Sequence, residues 1–233
     1  MNPPDGEAHG VVFDLDGTLA DTRADIANAM NVVLRGAGLP THPPEAYRRF
    51  VGDGVDPMVE RATAGCSGQN LDELKQAFRQ RYRAHLLDET VPYAGVVALL
   101  AALAEQAVPL AVLSNKPQAM TATIVAQLFG QVPFQAVLGQ RASVPKKPDP
   151  TALLEILQGF DLPPKRCAMV GDTAADMGCA VAAGVLPVGV SWGFRGCAEL
   201  INAGAVHIIE QPVELLALLS AATGPGDKAV TLP

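Results

Sequence analysis

Two aspartates separated by one residue, Asp14 and Asp16, end a short apolar run and form the pattern in this sequence with the clearest capacity for chemistry. Two carboxylates this close resist ionising together. Such a pair either binds a cation or divides its work between an ionised nucleophile or ligand and a proton carrier. Gly17 follows and permits a sharp turn out of the preceding strand. The alternative interpretation is an acidic turn in a surface loop. An apolar strand that leads directly into D-x-D-G-T is a specific pattern and favours a functional site over such a turn.

A second acidic site follows another apolar run, in the segment VGDTAAD. Thr173 and Asp176 have the spacing of a capping box and predict the start of a helix. That interpretation leaves Asp172 unexplained, and Asp172 would stand beside Asp14 if their two strands are neighbours. Three carboxylates without a nearby histidine or cysteine suit a hard, oxygen-seeking ion such as Mg²⁺.

Two further segments carry groups that would suit an anion. Ser114 lies in LSNKP after a third apolar run, where its hydroxyl and the backbone N–H groups of a helix N-terminus would hold phosphate oxygens. Lys146 and Lys147 precede another predicted helix, and one of them would neutralise phosphate and carboxylate charge together. Taken alone, Ser-Asn is an ordinary helix cap and two lysines in a Pro-rich loop are ordinarily solvated. Placement of all four sites at the ends of one sheet favours the functional interpretation.

The elements that must position these residues are short apolar strands alternating with helical patterns. Strand, helix, strand alternation predicts a parallel sheet with helices packed against it. Ligands bind such sheets beyond the carboxyl ends of the strands, where the polar residues lie. The predicted strands are 10–15, 108–114, 134–139, 166–171 and 185–191, with helical periodicity over 96–106 and 117–128.

Residues 21–90 show mainly helical patterns, in contrast to the alternating strands and helices of the rest of the chain. They predict a helical insertion after the first strand. The predicted domains are therefore a Rossmann-like core of residues 1–20 and 91–233 and a helical domain of residues 21–90. The insertion holds nine of the 17 lysines and arginines. For any one of these arginines, a solvated helical surface with salt bridges is the alternative to a role in binding.

The composition of the 233 residues is that of a globular protein, with 49% hydrophobic residues and a net charge of -7. An acidic balance argues against general attraction to nucleic acid or to anionic membranes. The longest apolar run, 96–104, is far shorter than the roughly 20 residues that cross a bilayer, and no export signal is evident, so we expect a cytoplasmic protein. Four scattered cysteines and four scattered histidines suggest neither a disulfide framework nor a zinc site.

The segments DLDGT, LSN, the lysine of KKP and GDTAAD, in that order, resemble the four motifs of the haloacid dehalogenase superfamily of phosphatases. The resemblance covers nearly the whole chain. A helical insertion directly after the first motif is similar to the subfamily with a small helical cap. Within it, the segments 21–31, 50–55 and 190–195, together with LSNKP, look most like phosphoglycolate phosphatases and their near relatives.

The resemblance implies a role for each core residue. Asp14 would be the nucleophile that forms an aspartyl-phosphate, and Asp16 would protonate the leaving alcohol and then activate water. Mg²⁺ would bind Asp14, the backbone carbonyl of Asp16 and Asp172. Asp176 would assist this site through water or would orient Lys147.

The resemblance also implies a set of groups that bind the substrate. We expect Lys147 rather than Lys146 in this set, because Lys147 directly precedes Pro148 in the family-like K-P-x-P arrangement. In the insertion, the glycine-rich loop of Gly52, Asp53 and Gly54 would face the site, and Arg48 and Arg49 before it would bind a substrate carboxylate. The alternative for these two arginines is a position at the exposed end of a cap helix. The complete expected set is Thr18, Ser114, Asn115, Lys147, Gly52, Asp53, Gly54, Arg48 and Arg49.

The expected activity is Mg²⁺-dependent hydrolysis of a small phosphorylated metabolite such as 2-phosphoglycolate, by a monomer or a homodimer. Asp16 and Asp172 argue against a dehalogenase, which needs neither the second acid nor Mg²⁺. A phosphonatase would use a lysine of the insertion, where only Lys75 is present. A sugar phosphomutase, a pyrophosphatase or a nucleotidase of the same superfamily remains an alternative, as does a non-catalytic regulator that binds a phosphoryl group.

Overall fold

The computed structural model describes residues 10–221, so the outer ends of the predicted core domain lie outside the described residues. Within this range, none of the helices has both the length and the apolar character needed to span a bilayer. The strands are β1 (Gly10–Phe13), β2 (Ala20–Asp21), β3 (Val91–Pro92), β4 (Leu110–Pro117), β5 (Phe134–Gln140), β6 (Cys167–Gly171), β7 (Leu186–Val190) and β8 (His207–Ile209). The helices are α1 (Arg23–Gly36), α2 (Tyr47–Phe50), α3 (Val55–Ala62), α4 (Leu71–Ala84), α5 (Val96–Glu105), α6 (Gln118–Phe129), α7 (Thr151–Phe160), α8 (Ala174–Ala183), α9 (Cys197–Asn202) and α10 (Glu214–Ala221).

Six strands form one parallel sheet in the order β5-β4-β1-β6-β7-β8. β1 lies in the interior of the sheet, paired with β4 on one side and β6 on the other. The predicted α/β class with a parallel sheet is therefore confirmed. β8 was not predicted, because a strand of only three residues is too short to show a hydrophobic period.

Both faces of the sheet are covered by helices, as an apolar parallel strand requires. Alternate residues of β1 point to opposite faces. Val11 and Phe13 belong to one core cluster with residues of α5 and α6, whereas Val12 belongs to a second cluster with residues of α7 and α8. The sheet is consequently fixed from both sides, and its carboxyl edge provides a rigid base for side chains.

The helices α1 to α4 lie between β2 and β3, where the sequence predicts a helical insertion. β2 and β3 pair antiparallel, so the chain leaves for these helices and returns from them side by side. The buried carboxylate of Asp25 in α1 accepts hydrogen bonds from the backbone N–H groups of Glu89 and Thr90 and from the Thr90 hydroxyl, at 2.7–3.1 Å. This carboxylate ties the returning segment to the first helix of the insertion.

Candidate active site

Three buried aspartates meet at the carboxyl edge of the sheet. Asp14 directly follows β1 and Asp172 directly follows β6, and these two strands are neighbours. Asp176 lies in the first turn of α8, which starts immediately after Asp172 and Thr173. One carboxylate oxygen of each aspartate lies within 4.8 Å of the others. The strand order thus brings together carboxylates that are about 160 positions apart, as the arrangement of a parallel sheet leads one to expect.

Lys147 provides the cation of this cluster. Its Nζ donates to Asp14 Oδ1, Asp176 Oδ1 and the backbone oxygen of Leu113, each at 2.7 Å. An ammonium group has three N–H donors, so these contacts use all of them. Lys146 instead donates to the backbone oxygen of Asp53 at 3.3 Å. Of the two lysines in the motif, Lys147 therefore lies among the carboxylates.

The electrostatics of the cluster favour a further cation. Burial raises the pKa of Asp14 to about 7, against the opposing effect of Lys147 and with added repulsion from Asp176 and Asp16. Burial and then the neighbouring carboxylates also raise the pKa of Asp172 well above its ordinary value. Burial by itself would lower the pKa of Lys147. The combined attraction of Asp14 and Asp176 is the larger effect, so the pKa of Lys147 is raised.

Ionised, the cluster carries three negative charges against one positive charge, a net of -2. A divalent cation would cancel that charge, and the side-chain donors are carboxylate oxygens, which Mg²⁺ prefers over softer ligands. The residues present therefore fit a hard divalent ion.

Close packing fixes the orientation of Asp172. Its Oδ1 accepts a hydrogen bond from the Thr18 hydroxyl at 3.1 Å, and its Oδ2 accepts one from the backbone N–H of Phe194 at 2.7 Å. Gly17 has a φ of +88° and passes so close that a Cβ there would lie 2.2 Å from Asp172 Oδ2. Only glycine fits this position. The Thr18 hydroxyl, expected to bind substrate, holds a carboxylate in this structure.

Asp176 has both carboxylate oxygens engaged by protein donors. Oδ2 accepts from the backbone N–H and the hydroxyl of Thr173, which closes the predicted capping box at the start of α8. Oδ1 accepts from Lys147. This arrangement favours orientation of Lys147 over assistance through water, the two roles that the resemblance implied for Asp176.

Asp16 belongs to a second charged group that reaches from the core to the insertion. Its Oδ1 accepts a hydrogen bond from the Thr22 hydroxyl at 2.6 Å and lies 3.1 Å from the ammonium of Lys116. The same ammonium donates to the hydroxyl of Tyr82 in α4 at 2.7 Å. Sequence reasoning missed Lys116 and Tyr82. The available signal was the position of Lys116 two residues after Ser114, in the same segment LSNKP.

Ser114 and Asn115 lie at the same edge. Ser114 is buried and accepts a hydrogen bond from the backbone N–H of Lys116 at 3.2 Å. The side chain of Asn115 accepts from the backbone N–H of Lys147 and donates to the backbone oxygens of Lys147 and Gly52, at 2.9–3.1 Å. Asn115 thereby joins the loop that carries Lys147 to the glycine-rich loop of the insertion.

A cavity of about 40 Å³ lies between this edge and the insertion. Its polar lining comes from the loop after β1, from β4 and from Tyr82 in α4, and its apolar lining comes mainly from the insertion. The lining residues are Asp14, Asp16, Ile26, Val51, Gly52, Gly54, Val55, Met58, Phe78, Tyr82, Ser114, Asn115, Lys116, Pro117 and Met120.

The structure brings only part of the predicted loop to this cavity. Gly52 and Gly54 line it, but the carboxylate of Asp53 forms an ion pair with Arg61. Arg48 donates to the backbone oxygens of Gly193 at 2.6 Å and Phe194 at 3.3 Å, on the loop after β7.

Neither of the two arginines expected to meet a substrate carboxylate lies in the cavity lining. The side chain of Arg48 is bound to that loop, and Arg49 is exposed. The geometry therefore gives Arg48 a role in docking the insertion on the core.

Comparison with known proteins identifies relatives along most of the chain. A phosphoglycolate phosphatase of Chromobacterium violaceum is 36% identical over 214 residues, which cover 90% of this chain and 95% of the relative. A phosphoglycolate phosphatase of Pseudomonas putida is 36% identical over 192 residues, covering 79% of this chain and 70% of the relative. The crystal structure of a predicted phosphoglycolate phosphatase from Haemophilus somnus superposes with a TM-score of 0.84 at 26% identity, covering 91% of this chain and 97% of that one.

Residues 11–190 also match the haloacid dehalogenase-like hydrolases as a family. The matched segment begins within β1 and ends with β7, so it contains all three aspartates of the cluster, Lys147 and the helical insertion. From the extent of this match and the 36% identity to full-length relatives, the chain belongs to the haloacid dehalogenase-like hydrolase family.

Proposed function

We propose that the protein is a Mg²⁺-dependent phosphomonoesterase that hydrolyses a small phosphorylated metabolite, similar to 2-phosphoglycolate, through an aspartyl-phosphate on Asp14. The observation that carries the proposal is the buried cluster of Asp14, Asp172, Asp176 and Lys147 beside a small cavity that Asp16 also lines. The names of the relatives support the choice of substrate class.

In the first step, Asp14 attacks phosphorus and the bond to the leaving alcohol breaks. Lys147 is bonded to Oδ1 of Asp14, so we assign the attack to Oδ2. The Ser114 hydroxyl donates to a phosphoryl oxygen, and Lys147 and the Asn115 amide, whose donors are all bonded in this structure, join it by exchanging one of those bonds for one to the substrate. Donors fixed before the reaction stabilise charge that develops in the transition state without the cost of reorganising water.

We assign the proton transfers to Asp16. In the first step its carboxyl group protonates the leaving oxygen, and in the second it takes a proton from the water that attacks the aspartyl-phosphate. Its hydrogen bond from Thr22 and its contact with Lys116 hold it at the cavity wall. Two aspartates with different neighbours can thus perform different tasks: Asp14 is bonded to Lys147 of the buried cluster, and Asp16 lies in a separate ion pair.

Asp14, Asp172 and the backbone carbonyl of Asp16 would hold the Mg²⁺, with Asp176 orienting Lys147. The bound ion supplies neutralisation of the negative charge on the phosphoryl group and the carboxylates, which otherwise repel each other. The bonds from Thr18 and Phe194 keep Asp172 in position for this task.

We further propose that residues 21–90 form a cap over the site. The contacts of Arg48 and Asn115 across the boundary hold the glycine-rich loop against the core. The names of the relatives favour a leaving group of a few atoms over a sugar or a nucleotide.

Hydrolysis of a phosphometabolite panel by the purified protein, with Mg²⁺ and with a chelator, tests the proposal. We expect phosphate release that requires Mg²⁺ and is fastest with two- or three-carbon phosphoesters. Preference for a sugar phosphate with transfer of the phosphoryl group to a second sugar would identify a phosphomutase instead. Phosphate release from none of the panel would leave only phosphoryl binding.

A further inference from the structure

A buried lysine and tyrosine form a polar spot in the lining of the cavity, beside Asp16. Lys116 in β4 is 7% exposed, and its Nζ lies 2.7 Å from the hydroxyl of Tyr82 in α4. The same atom lies 3.1 Å from Asp16 Oδ1 and 4.4 Å from the centre of the Tyr82 ring. Among the described residues, these two oxygens are the acceptors of its hydrogen bonds. One of the three ammonium donors is left for a ligand in the cavity.

The charge of this spot is well defined. Lys116 forms an ion pair with the carboxylate of Asp16, and an opposite charge this close favours the charged ammonium form. Burial raises the pKa of Tyr82 to about 12, so its hydroxyl keeps its proton. A hydroxyl that accepts from the lysine still has its own proton to donate. The pair therefore offers a ligand one positive charge and two donors.

Within the described residues, the rest of the wall has no second cation for an anion carried by the leaving group. Lys116 is the only basic side chain of the lining within the described part of the chain. The other non-glycine side chains above the carboxylates are apolar, and a carboxylate packed against them without a partner would carry a large desolvation cost. These apolar residues are Ile26, Val51, Val55, Met58, Phe78 and Met120.

The position of Lys116 relative to Asp16 sets where such an anion would lie. In the proposed reaction, Asp16 protonates the oxygen of the leaving alcohol. Lys116 contacts the same carboxylate, so it is adjacent to that oxygen. A carboxylate separated from the ester oxygen by one carbon atom would reach the ammonium, whereas a charge at the end of a long chain would lie beyond the cavity.

We propose that Lys116, positioned by Tyr82, binds the carboxylate of the leaving group and thereby selects phosphoesters of small 2-hydroxy acids. This inference rests on the proposed function and names the residue that determines its substrate class. It transfers to Lys116 the task that the sequence suggested for Arg48 and Arg49.

The test compares two substrates with the same two-carbon skeleton, 2-phosphoglycolate and ethyl phosphate, of which only the first has a carboxylate. In Lys116→Met, loss of the partner of Asp16 will slow both reactions. We expect kcat/KM for 2-phosphoglycolate to fall about 100-fold further than kcat/KM for ethyl phosphate, because only that substrate loses a buried ionic contact.

Tyr82→Phe keeps the ring and removes the hydroxyl, so it separates positioning from folding. We expect KM for 2-phosphoglycolate to rise about fivefold with kcat unchanged, and KM for ethyl phosphate to change by a clearly smaller factor. Lys165→Met is the matched control, since Lys165 is exposed in the short 3-10 helix Pro164–Arg166 before β6, at the opposite edge of the sheet. It should change neither substrate.

Each other outcome has a definite meaning. Equal losses for the two substrates in Lys116→Met would overturn the inference and leave Lys116 as a partner of Asp16 alone. If Lys116→Met fails to fold, an unchanged KM for 2-phosphoglycolate in Tyr82→Phe overturns it instead. Wild-type protein that hydrolyses ethyl phosphate but not 2-phosphoglycolate overturns this inference alone, whereas Mg²⁺-dependent hydrolysis of neither substrate refutes the proposed function as well.

Discussion

The carboxyl edge of the sheet and the boundary with the insertion are both rich in cations, but they use them differently. At the edge, Lys147 bonds directly to two buried carboxylates. At the boundary, Arg48, Arg195 and Lys146 donate to backbone oxygens of the opposite side. Loss of its ionic partner costs a buried charge more free energy than loss of one donor costs a neutral carbonyl oxygen. We therefore expect the edge to stay fixed and the boundary to open more readily.

The largest expected effect comes from the nucleophile of the fixed edge. Asp14→Asn should lower kcat by at least about 10⁴-fold, because the amide cannot form the aspartyl-phosphate. The fold should survive, since the substitution is isosteric and removes one of several buried like charges. Phosphate release and circular dichroism measure the two effects. Appreciable turnover by the variant would exclude the covalent mechanism.

Removal of the metal should abolish activity, and the metal should also stabilise the fold. Saturating Mg²⁺ should raise the Tm of the wild-type protein by several degrees, because an ion held by the native carboxylates stabilises only the folded state. Asp172→Asn should lose most of this increase. Thermal melts with Mg²⁺ and with a chelator provide a measurement that does not depend on turnover. An equal increase in the variant would place the ion elsewhere.

The two adjacent lysines give a direct comparison of edge and boundary. Lys147→Met should lower the free energy of unfolding by about 3–5 kcal/mol, because it leaves buried carboxylates without their cation. Lys146→Met removes a bond to a carbonyl at the half-buried boundary and should cost about 1 kcal/mol or less. Urea unfolding of both variants in a chelator measures the difference. Similar values would mean that the boundary is as fixed as the edge.

The smallest effect is expected for the boundary arginines. Arg48→Ala and Arg195→Ala should each raise KM about three- to tenfold through weaker docking of the insertion. The change should be equal for 2-phosphoglycolate and ethyl phosphate, because these arginines bind backbone oxygens. Arg83→Ala, at an exposed position of α4, is the control. A selective loss for 2-phosphoglycolate in Arg48→Ala would restore this residue as a partner of the substrate.

The local sequence was sufficient for the parallel sheet and for the carboxylates at its edge. Asp14 and Asp172 each follow a short apolar run, and parallel strands place such residues at one edge whatever lies between them in the chain. The capping box at Thr173 and Asp176 is likewise local, with its partners three positions apart. Strand β8 was not predicted, because it is too short to show the alternation of apolar and polar residues that indicates a strand.

Only the tertiary structure decided the partners of the charged side chains. Lys147 and Asp14 are 133 positions apart, and Arg48 and Gly193 are 145 apart. The hydrophobic periodicity of the sequence does not indicate whether an arginine binds a substrate or a backbone oxygen. A long flexible side chain binds whichever acceptor lies within reach in the folded protein. Lys116 shows the same limit, because Tyr82 and Asp16 meet it only when the insertion lies on the core. The residue types and strand ends that can do the chemistry are local properties of the sequence, whereas the positions of α4 and the glycine-rich loop relative to the sheet depend on packing between distant segments.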